Sequence, residues 1–174
     1  MNAELQALRT YLDGQREHVT GILEGLSDDQ LRQPVLPTGW SCLGLVHHLA
    51  LDVERFWFPG VFAGQPDTLA ELRAESGGNW QVPDGMTTEQ VFALYRDQIE
   101  AADAVLSAAA GRDGALEEPP AAWPTEMWPD WRLPDLRHIV LHVITEEATH
   151  AGHLDAAREL IDGTTWLGGD PADA

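Results

Sequence analysis

The stretch from Pro134 to Gly163 is delimited as a helix at both ends and has one apolar side. At 100° per residue, Leu136, Ile139, Val140, Val143, Ile144, Ala151, Leu154 and Ile161 fall on a single arc. Pro134 suits the first turn, and Gly163 suits the position just past the last. Such a helix must bury its arc against other elements, and three further segments repeat the helical period. Residues 2–25 carry Leu5, Leu8, Leu12, Val19, Ile22 and Leu23 at mostly helical spacing. A second helix is predicted from Ser41 to Phe58, stopped by "FPG". A third starts after Thr87, which with Gln90 has the spacing of a capping box, and continues to about Ala110. With almost no strand signal, the expectation is an all-α fold, a four-helix bundle formed by residues 1–174 as one domain.

The connections are read with less regularity. "LSDDQLRQPVLPTGW" predicts a short helical turn and then a proline-bounded loop. Within residues 59–86, mostly loop, "DTLAELRAES" predicts a short helix, with Thr68 and Glu71 at capping-box spacing. The long Pro- and Trp-rich segment before the last helix holds Trp123, Trp128 and Trp131. Long irregular segments in compact domains are often functional. The three rings either fold back over the bundle's own core or wall a pocket.

The charge narrows the partners. The formal net charge is −19, and all ten basic residues are Arg. So acidic a chain is not expected to bind nucleic acid or an anionic membrane. No apolar run is long enough for a membrane span, and the polar N-terminus does not read as a signal peptide, so a cytoplasmic protein is the default expectation. The lone Cys42 fits a reducing compartment; it reads as a small buried apolar residue, with a catalytic thiol as the alternative.

The last helix also carries the chemistry. Glu146 and His150 are four apart and stack at the edge of the apolar arc. Imidazole nitrogen and carboxylate oxygen both bind a divalent cation such as zinc at about 2.0–2.2 Å, so the pair can chelate one. The plain alternative is an exposed helical pair. Two ligands need a third from another helix, and "SCLGLVHHLALDVERFW" offers His47 and His48 near opposite borders of its arc. Spacing does not choose between them, although His48 has Asp52 one turn on to orient it or to add a ligand. Glu147 lies nearer the centre of the arc than Glu146. It is read as the true carboxylate ligand, as a partner of an Arg on another helix, or as facing a pocket. His142 and His153 are candidates for a supporting group behind the ligands, with His142 also a spare ligand; Asp155 is left open. His18 and His138 read as surface residues, and Arg158 as paired with a carboxylate.

"GWSCLGLVHHLALDVERFW" resembles the second-helix motif of the DinB-like superfamily of four-helix-bundle metalloproteins, and "EEATHAGHLDAAREL" with "IDG" is similar to an actinobacterial branch of uncharacterised members. The superfamily includes mycothiol-dependent maleylpyruvate isomerase and thiol S-transferases. The resemblance runs from about residue 5 to 163. Many members place two His at this spacing on the late helix, whereas Glu146 with His150 follows the isomerase variant. The isomerase has an additional C-terminal domain and this chain stops after the bundle, which points away from maleylpyruvate as substrate.

The resemblance implies His48, Glu146 and His150 as metal ligands, choosing His48 over His47. It implies a divalent metal, zinc or nickel, and a low-molecular-weight thiol such as mycothiol acting with an electrophile in a transferase or isomerase reaction. The alternatives are a hydrolase with metal-activated water, using Glu147 or Asp52 as base, and a non-catalytic metal- or ligand-binding bundle. A homodimer is left open.

Overall fold

The computed structural model describes residues 3–74 and 79–166. Among these there is helix and no strand, as the periodicity predicts. Helix α1 spans Ala3–Gly21 and α2 spans Asp28–Arg32. Helix α3, Cys42–His48, runs without a break into a π-helical segment, Leu49–Phe62. Helix α4 is Pro66–Ala74, α5 is Thr88–Ala110, and α6 is Leu136–Asp162. None of these helices is long and apolar enough to cross a membrane.

Local chemistry sets most boundaries. Thr87 accepts from the Gln90 amide while the Gln90 side chain accepts from the Thr87 amide, so the predicted capping box starts α5. Ser27 and Gln30 do the same for α2. Asp135 caps α6, which places Pro134 just outside the helix. Gly163, at φ 81°, ends it in the left-handed region that favours glycine.

Two expectations are corrected. "FPG" does not stop the second helix, which passes through Pro59 to Phe62. The wider π turn, in which Ala63 N–H bonds the Phe58 carbonyl five residues back, relieves the clash that a proline ring makes in an α-helix. Thr68 and Glu71 do not form a cap, because α4 starts earlier, at Pro66; Thr68 bonds Gln65, and Glu71 pairs with Arg55.

Helix α1 packs on α6, α6 on the π segment, and α5 on α3 and the π segment. Leu5, Leu12 and Val19 recur every seven residues along α1 and are almost wholly buried. They meet Ile139, Val143 and Leu154 of α6, and Leu45, Leu49 and Leu106, in one continuous core. Each such side chain contributes about 1.5–3 kcal/mol by leaving water.

A charged network crosses this core. Arg16 of α1 donates through Nε and Nη2 to both oxygens of Glu54 in the π segment, each at 2.7 Å. Its Nη1 donates to Asp13 and to Asp103 of α5, at 3.0 Å. Tyr95 of α5 donates to Glu147 Oε2 of α6 at 2.8 Å. Glu147 is fully buried, and its Oε1 has no hydrogen-bond partner. Burial pushes the Glu147 carboxyl well up, and the neighbouring Glu54 charge pushes it further. Glu54 faces the guanidinium, whereas Glu147 faces Tyr95 and the Glu54 charge, so Glu147 is the carboxyl pushed further up.

Removing one partner of a buried ion pair strands the other. Arg16→Met is expected to destabilise the fold by about 3–5 kcal/mol. Adding Glu54→Leu to that variant should restore a large part of the loss. Urea unfolding of the single and double variants checks both.

Candidate functional site

Neighbouring residues on a helix point about 100° apart, so the inward position of Glu147 settles where its neighbours face. Glu146 turns to the flank of α6 that looks at the end of α3, and His142 and His150 stack one turn before and after it. Glu146 Oε1 lies 3.6 Å from His142 Nε2, and Oε2 lies 3.5 Å from His150 Nε2. The His150 imidazole holds the Glu146 carboxyl below its ordinary range, against the effect of partial burial. Burial lowers the His142 pKa, opposed by Glu146.

His48 closes the cluster from α3. Its ring meets that of His150 edge-on at 5.1 Å between centroids. Its Nδ1 bonds Asp52 Oδ2 at 2.8 Å, the orienting contact that the spacing suggested. A carboxylate can only accept there, so Nδ1 is the donor and Nε2 is the nitrogen left to face another partner. Burial raises the Asp52 pKa, but the bonds from His48 and from Asn79 hold its carboxyl below the usual range. His47 points elsewhere: it is buried, with Nδ1 at 2.8 Å from the Asn79 carbonyl oxygen. The two adjacent histidines thus have separate tasks, one against the cluster and one against a loop.

That loop is a part of the site that sequence reasoning did not find. Asn79 donates its backbone N–H to Asp52 Oδ2 at 3.1 Å and its side-chain amide to Oδ1 at 2.7 Å. Trp80 then stacks on His48, with ring centroids 4.0 Å apart and planes 16° from parallel. The loop can come this close only over Gly44, where a Cβ would sit 2.2 Å from the Trp80 carbonyl oxygen. No periodic signal marks "GGNW"; an unplaced Trp beside glycines was the only trace.

The remaining candidates divide clearly. His153 is exposed, with Nδ1 3.4 Å from His150 Nδ1. Glu147 sits in the core network, bonded by Tyr95. Asp155 bonds His18 at 2.7 Å, and His18 stacks on Trp166, so neither is simply solvated. His138 is an exposed partner of its own cap residue. Arg158 bonds Asp162 and the Ile22 and Glu24 carbonyls, tying α6 to the end of α1. Cys42 is buried, and burial pushes its thiol up to about 11, which leaves almost no thiolate at neutral pH.

Beside the cluster lies an open pocket of about 570 Å³, lined by His48, Asp52, Val53, Phe56, Trp57, Met127, Trp128, Trp131, His142 and Glu146. Trp57 anchors an aromatic group, stacked with Trp128 at 5.5 Å and edge-on to Trp131, Phe56 and His142. Trp123 packs against the same rings, with Arg132 over its face. Both readings of the Trp-rich segment therefore hold: it covers the bundle and walls a pocket.

The donors have the chemistry of a catalytic divalent-metal site: two imidazoles and a carboxylate. Ligands about 2.1 Å from a tetrahedral cation stand about 3.4 Å apart, which matches the 3.5 Å between Glu146 and His150. Among the described residues, however, no three His, Cys, Asp or Glu side chains already converge as a metal-holding group. The donor types suit a cation, with the His48 ring 5.1 Å from that of His150 between centroids.

The all-helical bundle is the architecture of the DinB-like proteins. A family model described as mycothiol-S-transferase matches residues 7–163, and the chain belongs to that family. The family's name denotes thiol-dependent transfer. No curated protein matches the chain.

Two outcomes check this geometry. Native protein should resist iodoacetamide at Cys42 at neutral pH and be alkylated once unfolded, as mass spectrometry would show. Gly44→Ala should displace Trp80 from His48, seen as a changed near-ultraviolet circular dichroism spectrum with the helical far-ultraviolet signal retained.

Proposed function

We propose that the protein transfers a low-molecular-weight thiol, mycothiol or a close analogue, to an electrophile, with a divalent metal held by His48, Glu146 and His150. The observation that carries this reading is that His150 lies beside Glu146 and meets the His48 ring edge-on, while His48 and Glu146 both line the aromatic pocket. Membership of the mycothiol S-transferase family supports the thiol as co-substrate. When bound, a divalent cation lowers the pKa of a thiol and so supplies thiolate at neutral pH.

The chain's own residues prepare the site. Asp52, fixed by Asn79, holds the His48 tautomer that leaves Nε2 free. Glu146 spans two imidazoles and brings negative charge to the rim. Trp80 and the pocket aromatics shed water from the reacting sulfur. Cys42 is sealed and largely protonated, so the sulfur must come from outside. The metal suits zinc or nickel, whose preferences overlap for this ligand set.

A hydrolase acting through bound water is less well served. Its candidate bases were Glu147 and Asp52, and Glu147 is closed in the core while Asp52 is committed to His48 and Asn79.

The test is metal content followed by activity. Purified protein should hold about one divalent ion per chain, and His48→Ala and His150→Ala should hold far less while remaining helical. Loaded protein should consume mycothiol with monochlorobimane. Equal metal in all three proteins would sink the ligand assignment; turnover of an ester without thiol would favour the hydrolase.

A further inference from the structure

The pocket's walls say more about the co-substrate than the reading of thiol transfer requires. Phe56 stands nearly perpendicular to Trp57 and to Trp128, at 87° and 84°. Trp131 stands at 82° to Trp57 and 74° to Trp128. The rings therefore form a corner that offers both faces and edges, the geometry that aromatic partners prefer. At its mouth Trp131 is 43% exposed and Met127 49% exposed. Large apolar side chains left in water around a concavity mark a binding surface rather than a core. Met127 adds a flexible, polarizable edge that adapts to ring shape.

The polar groups of the lining pair with one another, Asp52 with His48 and Glu146 with His142, and no Arg is among the described lining residues. The nearby Arg132 sits over the Trp123 ring, and neither residue lines the pocket. Ring faces are themselves electron-rich and attract cations. A ligand carboxylate seated among these rings would meet electron-rich faces and no guanidinium.

We propose that the Phe56–Trp57–Trp128–Trp131 corner is the subsite for a flat aromatic co-substrate that carries no negative charge, and that it discriminates against anionic aromatics. The assignment as the electrophile's subsite rests on the thiol-transfer reading; the binding preference does not. The ring of the co-substrate fills the corner, and its reactive carbon faces Glu146 and His48 at the rim.

Three probes of one skeleton test it by isothermal titration calorimetry on protein stripped of divalent metal by chelation and without thiol: 2-naphthalenemethanol, 2-naphthylmethylammonium and 2-naphthoate. The neutral and cationic probes should bind, with 2-naphthoate at least about tenfold weaker, and Trp131→Ala should weaken the first two by about tenfold. Trp131 is partly exposed, so this variant should keep its fold, which circular dichroism checks. Binding of 2-naphthoate as tight as the others, binding of none of the three, or unchanged affinity in folded Trp131→Ala would overturn the proposal. Because no thiol is present, this preference can stand if the transferase assay fails, and the reverse result is equally readable.

Discussion

The placement of the site depends on the bidentate contact between Arg16 and Glu54. It joins α1 to the π segment in the middle of an apolar core, where an isolated charge is prohibitively costly. Asp103 and the Tyr95–Glu147 bond extend it to α5 and α6, so all four long helices share one polar seam. Such a seam is satisfied in only a narrow range of helix rotations. It holds Glu147 inward, and the geometry of a helix then turns Glu146, His142 and His150 to the flank. The core network contributes nothing to ligand binding directly, yet it aims the side chains that do.

The π segment serves the same end from the opposite helix. Its wide turns let the chain pass Pro59 and carry Trp57 and Phe56 to the pocket while Glu54 reaches Arg16. Departures from α geometry of this kind are frequent at functional sites. The loop holding Asn79 and Trp80 completes the arrangement: one carboxylate, Asp52, fixes both the loop and His48, so the stacking ring and the imidazole are positioned together.

The pattern of a helix boundary is local, and boundaries were accordingly legible. Thr87 with Gln90 and Gly163 at the end of α6 were assigned from types and spacing alone, and the structure keeps them. The failure at "FPG" is instructive because the proline rule presumes α geometry. Arg16 could have been noticed, since it lies between Leu12 and Val19 on the buried face of α1. Its partner could not, because Glu54 is thirty-eight residues away.

Composition, period and capping residues determine that this chain forms long helices with apolar arcs, and they bring Glu146 and His150 together one turn apart, because those are contacts within a single helix. They leave His47 and His48 equivalent, and they leave Glu147 unexplained. Tertiary packing separates the histidines, since Asn79 and Trp80 arrive from a distant loop and give each a different partner. It also explains Glu147, whose burial makes sense only beside Tyr95, Glu54 and Arg16 from three other helices. Contacts across elements depend on how helices rotate against one another, and that is a property of the assembled core rather than of any one segment.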